Sequence, residues 1–250
     1  IISQIIEGNV PPIIAKIEKP QAIPNIDDII AEADGILIAR GDLGVELPPE
    51  DVPILQKLIV KKCNQAGKPV IIATQMLESM ISNSTPTRAE ASDVANAVID
   101  GGDAVMLSGE TSVGKYPLES VQIMNRIIKK VEQEHLEHVR VLGRSGGSVE
   151  SRLDAIGRAA CVLAEHMNAA AIATVTRSGQ TAKVISRYRP RTEIIAITDR
   201  PKTFRSINLF WGVRGLIIDE LAGDSDKALQ DIQERLVNTG MVKRGEYVVV

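Results

Sequence analysis

Between residues 13 and 134 the chain repeats one grammar four times: a short continuous apolar run, a turn carrying charged or hydroxyl residues, then an amphipathic stretch with helical spacing. Such alternation dictates βα units around a parallel sheet. The apolar runs at 13–17, 35–39, 69–73 and 103–107 lack polar alternation, which predicts strands covered on both faces. Helices are predicted near 23–33, 52–66, 87–100 and 118–134, with Pro53 near a helix start and Gly67 just past a helix end.

A length of 250 residues suits one large or two ordinary domains. A mixed-charge stretch at 129–140 runs into Gly143-Arg-Ser-Gly-Gly-Ser148, the most linker-like segment. Domains are therefore predicted at 1–142 and 151–250, joined by a linker at 143–150. In the second, Leu153, Ile156, Ala160, Leu163 and Met167 recur at helical spacing, and apolar runs follow at 170–175, 194–197 and 213–218. Residues 248–250 begin a further strand and stop, and the first residue is Ile1. Both features lead us to expect a piece of a longer polypeptide.

Composition excludes several classes. A net charge of −3 with 2% aromatic residues leaves neither a basic field nor a stacking platform for nucleic acid. No apolar run approaches the roughly 20 residues of a membrane span, and no secretory leader is visible. Cys63 and Cys161 each sit in an apolar helix-like stretch and read as reduced core thiols of a cytoplasmic protein. His135, His138 and His166 lack metal-ligand company and read as surface or linker residues, while Met76 and Met80 read as packing.

Chemistry concentrates where the strands of the first domain end, the edge at which parallel α/β folds place their sites. The first strand ends with Lys16 and Glu18 on one face, since side chains alternate along a strand. The second ends Ala39-Arg40-Gly41-Asp42, where glycine permits close approach and Asp42 offers a hard oxygen ligand. The third offers Thr74; the fourth offers Ser108 and Glu110. Any one of these is ordinarily a solvated rim or turn residue. Together they are two carboxylates suited to a divalent cation, an ammonium, two hydroxyls and a further acid, a set fitted to neutralising a phosphoryl group or an enolate.

The stretches Ile13-Ile-Ala-Lys-Ile-Glu-Lys-Pro-Gln-Ala-Ile23, Gly35-Ile-Leu-Ile-Ala-Arg-Gly-Asp-Leu-Gly-Val-Glu46, Ile72-Ala-Thr-Gln-Met-Leu-Glu-Ser-Met80, Pro86-Thr-Arg-Ala-Glu-Ala-Ser-Asp-Val-Ala-Asn96 and Val105-Met-Leu-Ser-Gly-Glu-Thr111 occur in this order. In them the chain resembles the pyruvate kinase family, over essentially its whole length. The resemblance implies the second half of a (β/α)₈ barrel followed by a separate α/β C-terminal domain with a regulatory role. It implies transfer of the phosphoryl group of phosphoenolpyruvate to ADP, giving pyruvate and ATP, with Lys16 stabilising the group in flight and Glu18 and Asp42 holding Mg²⁺ or Mn²⁺. Backbone N–H groups at Ala39, Arg40 and Gly41 would meet the substrate carboxylate beside Asp42 and Thr74, and Thr74, Ser108 and Glu110 would belong to the relay that protonates the enolate. The family's K⁺ site and lid domain lie in parts this chain lacks, so these residues alone are expected to be inactive. The family is usually a homotetramer.

In the second domain, Thr176, Arg177, Ser178, Gly179, Gln180 and Thr181 form a hydroxyl-rich strand-to-helix turn suited to phosphate. Capping by Ser178 or Thr181 alone explains the same residues without a ligand, and the chemistry leaves both open. The resemblance favours the phosphate of a sugar-phosphate or nucleotide activator. A divalent-metal enolate lyase of aldolase type and a non-catalytic effector-binding or assembly module are the alternatives to the phosphotransferase.

Overall fold

Four strands, β1 (Ile14–Ile17), β2 (Gly35–Ala39), β3 (Val70–Ala73) and β4 (Ala104–Met106), pair side by side in chain order, every pairing parallel. Between and after them lie α1 (Ile26–Glu32), α2 (Arg40–Glu46), α3 (Asp51–Ala66), α4 (Arg88–Ile99), α5 (Gly109–Ser112) and α6 (Pro117–His135). The computed structural model describes residues 11–135, 152–218 and 225–250. The chain divides into two compact units, residues 1–137 and 138–250. The linker expected at 143–150, and His138, lie outside the described residues.

The apolar runs become central strands because both of their faces find cover. Ile36, Ile38, Val70 and Ile72 are fully buried, each contributing roughly 1.5–3 kcal/mol. Met76 and Met80 are also fully buried in this core. Gly67 ends α3 at φ 65°, with its N–H bonded to Asn64 O and the Lys68 N–H to Cys63 O, the paired bonds of a Schellman cap. Helices α2 and α5, and a 3₁₀ turn at Glu78–Ile81, go beyond the elements expected from periodicity. All three lie just beyond strand ends, and each is too short for a 3.6-residue repeat to register.

The second unit contains α7 (Arg152–His166), β5 (Ala171–Val175), α8 (Gln180–Arg187), β6 (Glu193–Thr198), α9 (Pro201–Ile207), β7 (Val213–Ile217), α10 (Ser225–Asn238) and β8 (Val248–Val249). Its sheet is parallel, in the order β7-β6-β5-β8. Alternation splits the strands between two cores. Ala171, Ala173, Ile195 and Ile197 pack with Ile232 and Leu236 of α10, whereas Ile172 and Ile194 pack with Cys161, Ala164 and Ile185 of α7 and α8. Helix α7 forms where the apolar spacing predicts it but buries a different face. Gly157, Cys161 and Ala164 point inward, while Ile156 and Leu163 are 60% and 49% exposed. Small residues win because α7 lies so close to α8 that a Cβ on Gly157 would stand 2.9 Å from Val184. Both cysteines are free and buried, and burial pushes each thiol up to about 12, so neither is a ready nucleophile.

Candidate active site

Strand β1 sends Ile17 into the core and, by alternation, Lys16 and Glu18 outward. The Lys16 ammonium donates to Glu18 and, at 2.9 Å, to Asp42 in the first turn of α2. Three residues from two successive strand ends therefore meet at one point. Their side chains are 50%, 37% and 51% exposed, which leaves the cluster open to a ligand from solvent. The hydrogen bonds to Glu18 and then to Asp42 raise the lysine above its ordinary value, so it remains a cation. Lys19 and Glu46 form a second ion pair alongside.

Among the described residues no group of three or more His, Cys, Asp or Glu is placed to hold a metal. Two carboxylates sharing one ammonium nevertheless suit a hard divalent cation that completes its shell with water and substrate oxygens. They would not suit a closed all-protein cage.

Beside this cluster the backbone is strained. Thr74 and Gln75, consecutive and neither of them glycine, adopt φ of 69° and 53°, costing on the order of 1–3 kcal/mol each. The Thr74 hydroxyl donates to Ala73 O at 2.6 Å and accepts the Gly41 N–H at 2.6 Å. A side chain at Gly41 would crowd it, since a Cβ there would stand 3.3 Å from Thr74 Oγ1. Of the N–H groups expected to meet a substrate carboxylate at Ala39, Arg40 and Gly41, that of Gly41 is thus already engaged. The Arg40 side chain turns inward, 8% exposed, leaving its main chain as the part nearest the strand end. The guanidinium bonds both oxygens of Asp93 at 2.7 Å, Gln56 at 3.4 Å, and the Thr74 and Gln75 carbonyls at 2.9 and 3.4 Å.

Ser108 and Glu110 follow β4. Glu110 is 3% exposed, and its oxygens accept the Leu77 N–H at 3.1 Å and the Ser108 N–H at 2.8 Å. It ties together the segments that follow β3 and β4, and no described hydrogen bond joins it to Lys16, Glu18 or Asp42.

Sequence reasoning missed Gln56, Gln75, Ser79, Glu90 and Asp93. A signal existed for Glu90 alone, because Thr87 and Glu90 have capping-box spacing. The structure contains that box, and the Glu90 carboxylate also accepts the Ser79 N–H and hydroxyl at 2.7 and 2.6 Å. Desolvation pushes the Glu90 carboxyl up, but donors from Ser79 and Thr87 outweigh it and hold the group below its ordinary 4.5. A depressed carboxyl stabilises fully above its unfolded value, and the stabilisation is lost as pH falls through the lower folded value. Urea midpoints measured from neutral pH to below 4.5 should therefore fall less steeply for Glu90→Gln than for the parent protein. Superimposable curves would remove the clasp from the account.

In the second unit, Gly179 precedes α8 at φ 84°, and its N–H bonds Thr176 Oγ1 at 2.9 Å. Neither Ser178 nor Thr181 caps the helix, which has no side-chain cap bond. Thr176 is buried, whereas Arg177, Ser178 and Gln180 are exposed and Thr181 is half-buried. The Thr203 hydroxyl holds the loop through Arg177 O at 2.7 Å.

Comparison with known proteins places these features in context. Residues 4–121 match a family model described as the pyruvate kinase barrel domain, and residues 154–250 match one described as the pyruvate kinase alpha/beta domain. A pyruvate kinase of Geobacillus stearothermophilus is 49% identical over 95% of this chain and 40% of its own length. One of Clostridium acetobutylicum is 45% identical over 95% of this chain and 50% of its own. The crystal structure of a pyruvate kinase from Cryptosporidium parvum superposes with a TM-score of 0.90 at 40% identity, covering 98% of this chain and 50% of that one. The chain thus spans half or less of the length of these relatives.

Proposed function

The chain belongs to the pyruvate kinase family, and from that premise we propose that the protein carrying it transfers the phosphoryl group of phosphoenolpyruvate to ADP, yielding pyruvate and ATP in glycolysis. The observation that carries this reading is the Lys16 ammonium held between Glu18 and Asp42 at the carboxyl ends of β1 and β2. Phosphoryl transfer needs positioning and charge neutralisation more than covalent help. Lys16 supplies a fixed cation for the group in flight. Glu18 and Asp42 would hold Mg²⁺ or Mn²⁺, whose chemistry there is charge neutralisation on phosphoryl and enolate oxygens. K⁺ would be held outside this chain.

First-turn N–H groups of α2 at Arg40 and Asp42, with Ala39 before them, would orient the substrate carboxylate. The Thr74 and Ser108 hydroxyls would pass a proton to the enolate through ordered water. Glu110 serves that relay by holding Ser108 in place through its N–H. A cytoplasmic setting is proposed; among the described residues no helix is long and apolar enough to cross a membrane.

The loop 176–181 is proposed to take the phosphate of a sugar-phosphate or nucleotide activator. Its support is the uncapped α8 terminus, the exposed Arg177 and Ser178, and the strand order. That order changes direction at β5, and α/β sheets bind ligands outside the carboxyl ends at such a switch point. A homotetramer is the proposed assembly.

Pyruvate release from phosphoenolpyruvate and ADP, assayed on the protein that carries this chain, tests the reading. Glu18→Gln and Asp42→Asn should each raise the Mg²⁺ concentration for half activity at least about tenfold, the loss that even an outer-shell partner of a metal ligand brings. A sugar bisphosphate should lower the phosphoenolpyruvate requirement in the parent but not in Ser178→Asp. Aldol cleavage without ADP would replace the reading with a lyase. Sugar-bisphosphate binding without turnover would replace it with a non-catalytic module.

A further inference from the structure

Two consecutive non-glycine residues in the left-handed region persist only where the surroundings over-determine them. At Thr74 and Gln75 what holds them is the inward-turned guanidinium of Arg40. Its Nη2 reaches the carbonyls of Thr74 and Gln75 and, at 2.8 Å, Met76 Sδ, while its Nη1 reaches Asp93 and Gln56. A planar fork can serve both sides at once, which a lysine ammonium on a flexible stem cannot. The Nε of Arg40 is buried without a partner, so the fork is aimed at these carbonyls at the expense of its own third donor position. Asp93 in turn is carried by α4, the helix whose N-terminus the Glu90 clasp ties down.

We propose that Arg40 and Asp93 act together as positioning residues: they set the Thr74–Gln75 turn so that the Thr74 hydroxyl caps Gly41 and fixes the helix presenting Asp42 to Lys16. The chain of contacts is continuous, from Asp93 to Arg40, to the Thr74 carbonyl, through the Thr74 hydroxyl to the Gly41 N–H, and on to Asp42 one residue later. No described hydrogen bond joins the side chain of Arg40 or Asp93 to Lys16, Glu18 or Asp42, so the pair acts through Thr74. The activity arm of the test rests on the phosphotransferase reading above.

The test uses the protein that carries this chain, with Arg40→Lys and Asp93→Asn alone and combined. Arg40→Lys and Asp93→Asn should each lower kcat by about 10- to 100-fold, the scale of an ångström-level misplacement, with KM for phosphoenolpyruvate changed by less than about threefold. Asp93→Asn should cost less than about twofold further in the Arg40→Lys background, because residues acting as a unit are not additive. Amide exchange at Gly41 should quicken in both single variants, a readout that needs no activity. Should Arg40→Lys fail to fold, Asp93→Asn, altered at a 41% exposed side chain, carries the kcat, KM and Gly41-exchange comparisons by itself. Unchanged Gly41 exchange, or kcat losses that multiply between Arg40→Lys and Asp93→Asn, would overturn the proposal. If the parent turns nothing over, the phosphotransferase reading fails and Gly41 exchange alone decides the clamp.

Discussion

Lys16→Met should lower kcat by about 10³-fold or more while leaving the fold in place. Methionine keeps the length and apolar stem and removes only the ammonium. The side chain is half exposed, so little packing is lost, and the repulsion left between Glu18 and Asp42 is screened by solvent. Its chemical loss is large for a different reason. One preorganised donor aimed at developing charge is worth about 10²–10³ in kcat, and a cation aimed at a phosphoryl group in flight about 10³–10⁵. Steady-state kinetics beside a urea unfolding curve separate these effects. A kcat within tenfold of the parent at unchanged stability would take Lys16 out of the reaction and leave the site without its centre.

Glu110→Ala should produce the largest loss of stability among the site residues, on the order of 2–6 kcal/mol. The carboxylate is almost wholly buried and satisfies two backbone donors, at Leu77 and Ser108. Removing it leaves two N–H groups unpaired, each costing about 1–3 kcal/mol, against a total stability of roughly 5–15 kcal/mol. Glu110→Gln keeps one oxygen for one donor and should lose about half as much. Urea midpoints for both variants give the comparison. A Glu110→Ala midpoint indistinguishable from the parent would mean that water or a backbone shift replaces the carboxylate.

The strands and long helices were legible because burial on both faces requires continuous apolar runs, and helix ends require particular chemistry. Gly67 stands where those rules place it, just past the end of α3. Lys16, Glu18 and Asp42 were legible as a set because parallel strands deliver their carboxyl ends to one edge. The clamp was not. Arg40 reads from sequence as a residue at a strand end offering its main chain, and nothing local says that its side chain folds inward to meet Asp93, 53 positions later. Thr74 and Gln75 carry no glycine or asparagine to announce a left-handed turn, because the turn is imposed by neighbours and not preferred by the residues themselves. Similarly, the hydroxyl that shapes the 176–181 loop belongs to Thr176 and not to Ser178 or Thr181, since the geometry is set by Gly179 at φ 84°.

From its sequence alone this protein is a parallel α/β chain with its acids, ammonium and hydroxyls at strand ends, because periodicity and strand direction are local properties written in consecutive residues. Tertiary structure alone decided which face α7 buries, which donors are already spoken for, and which side chain holds the strained turn. Those outcomes depend on distances between residues 27 to 53 positions apart, and such distances exist only once the strands have paired and the helices have packed.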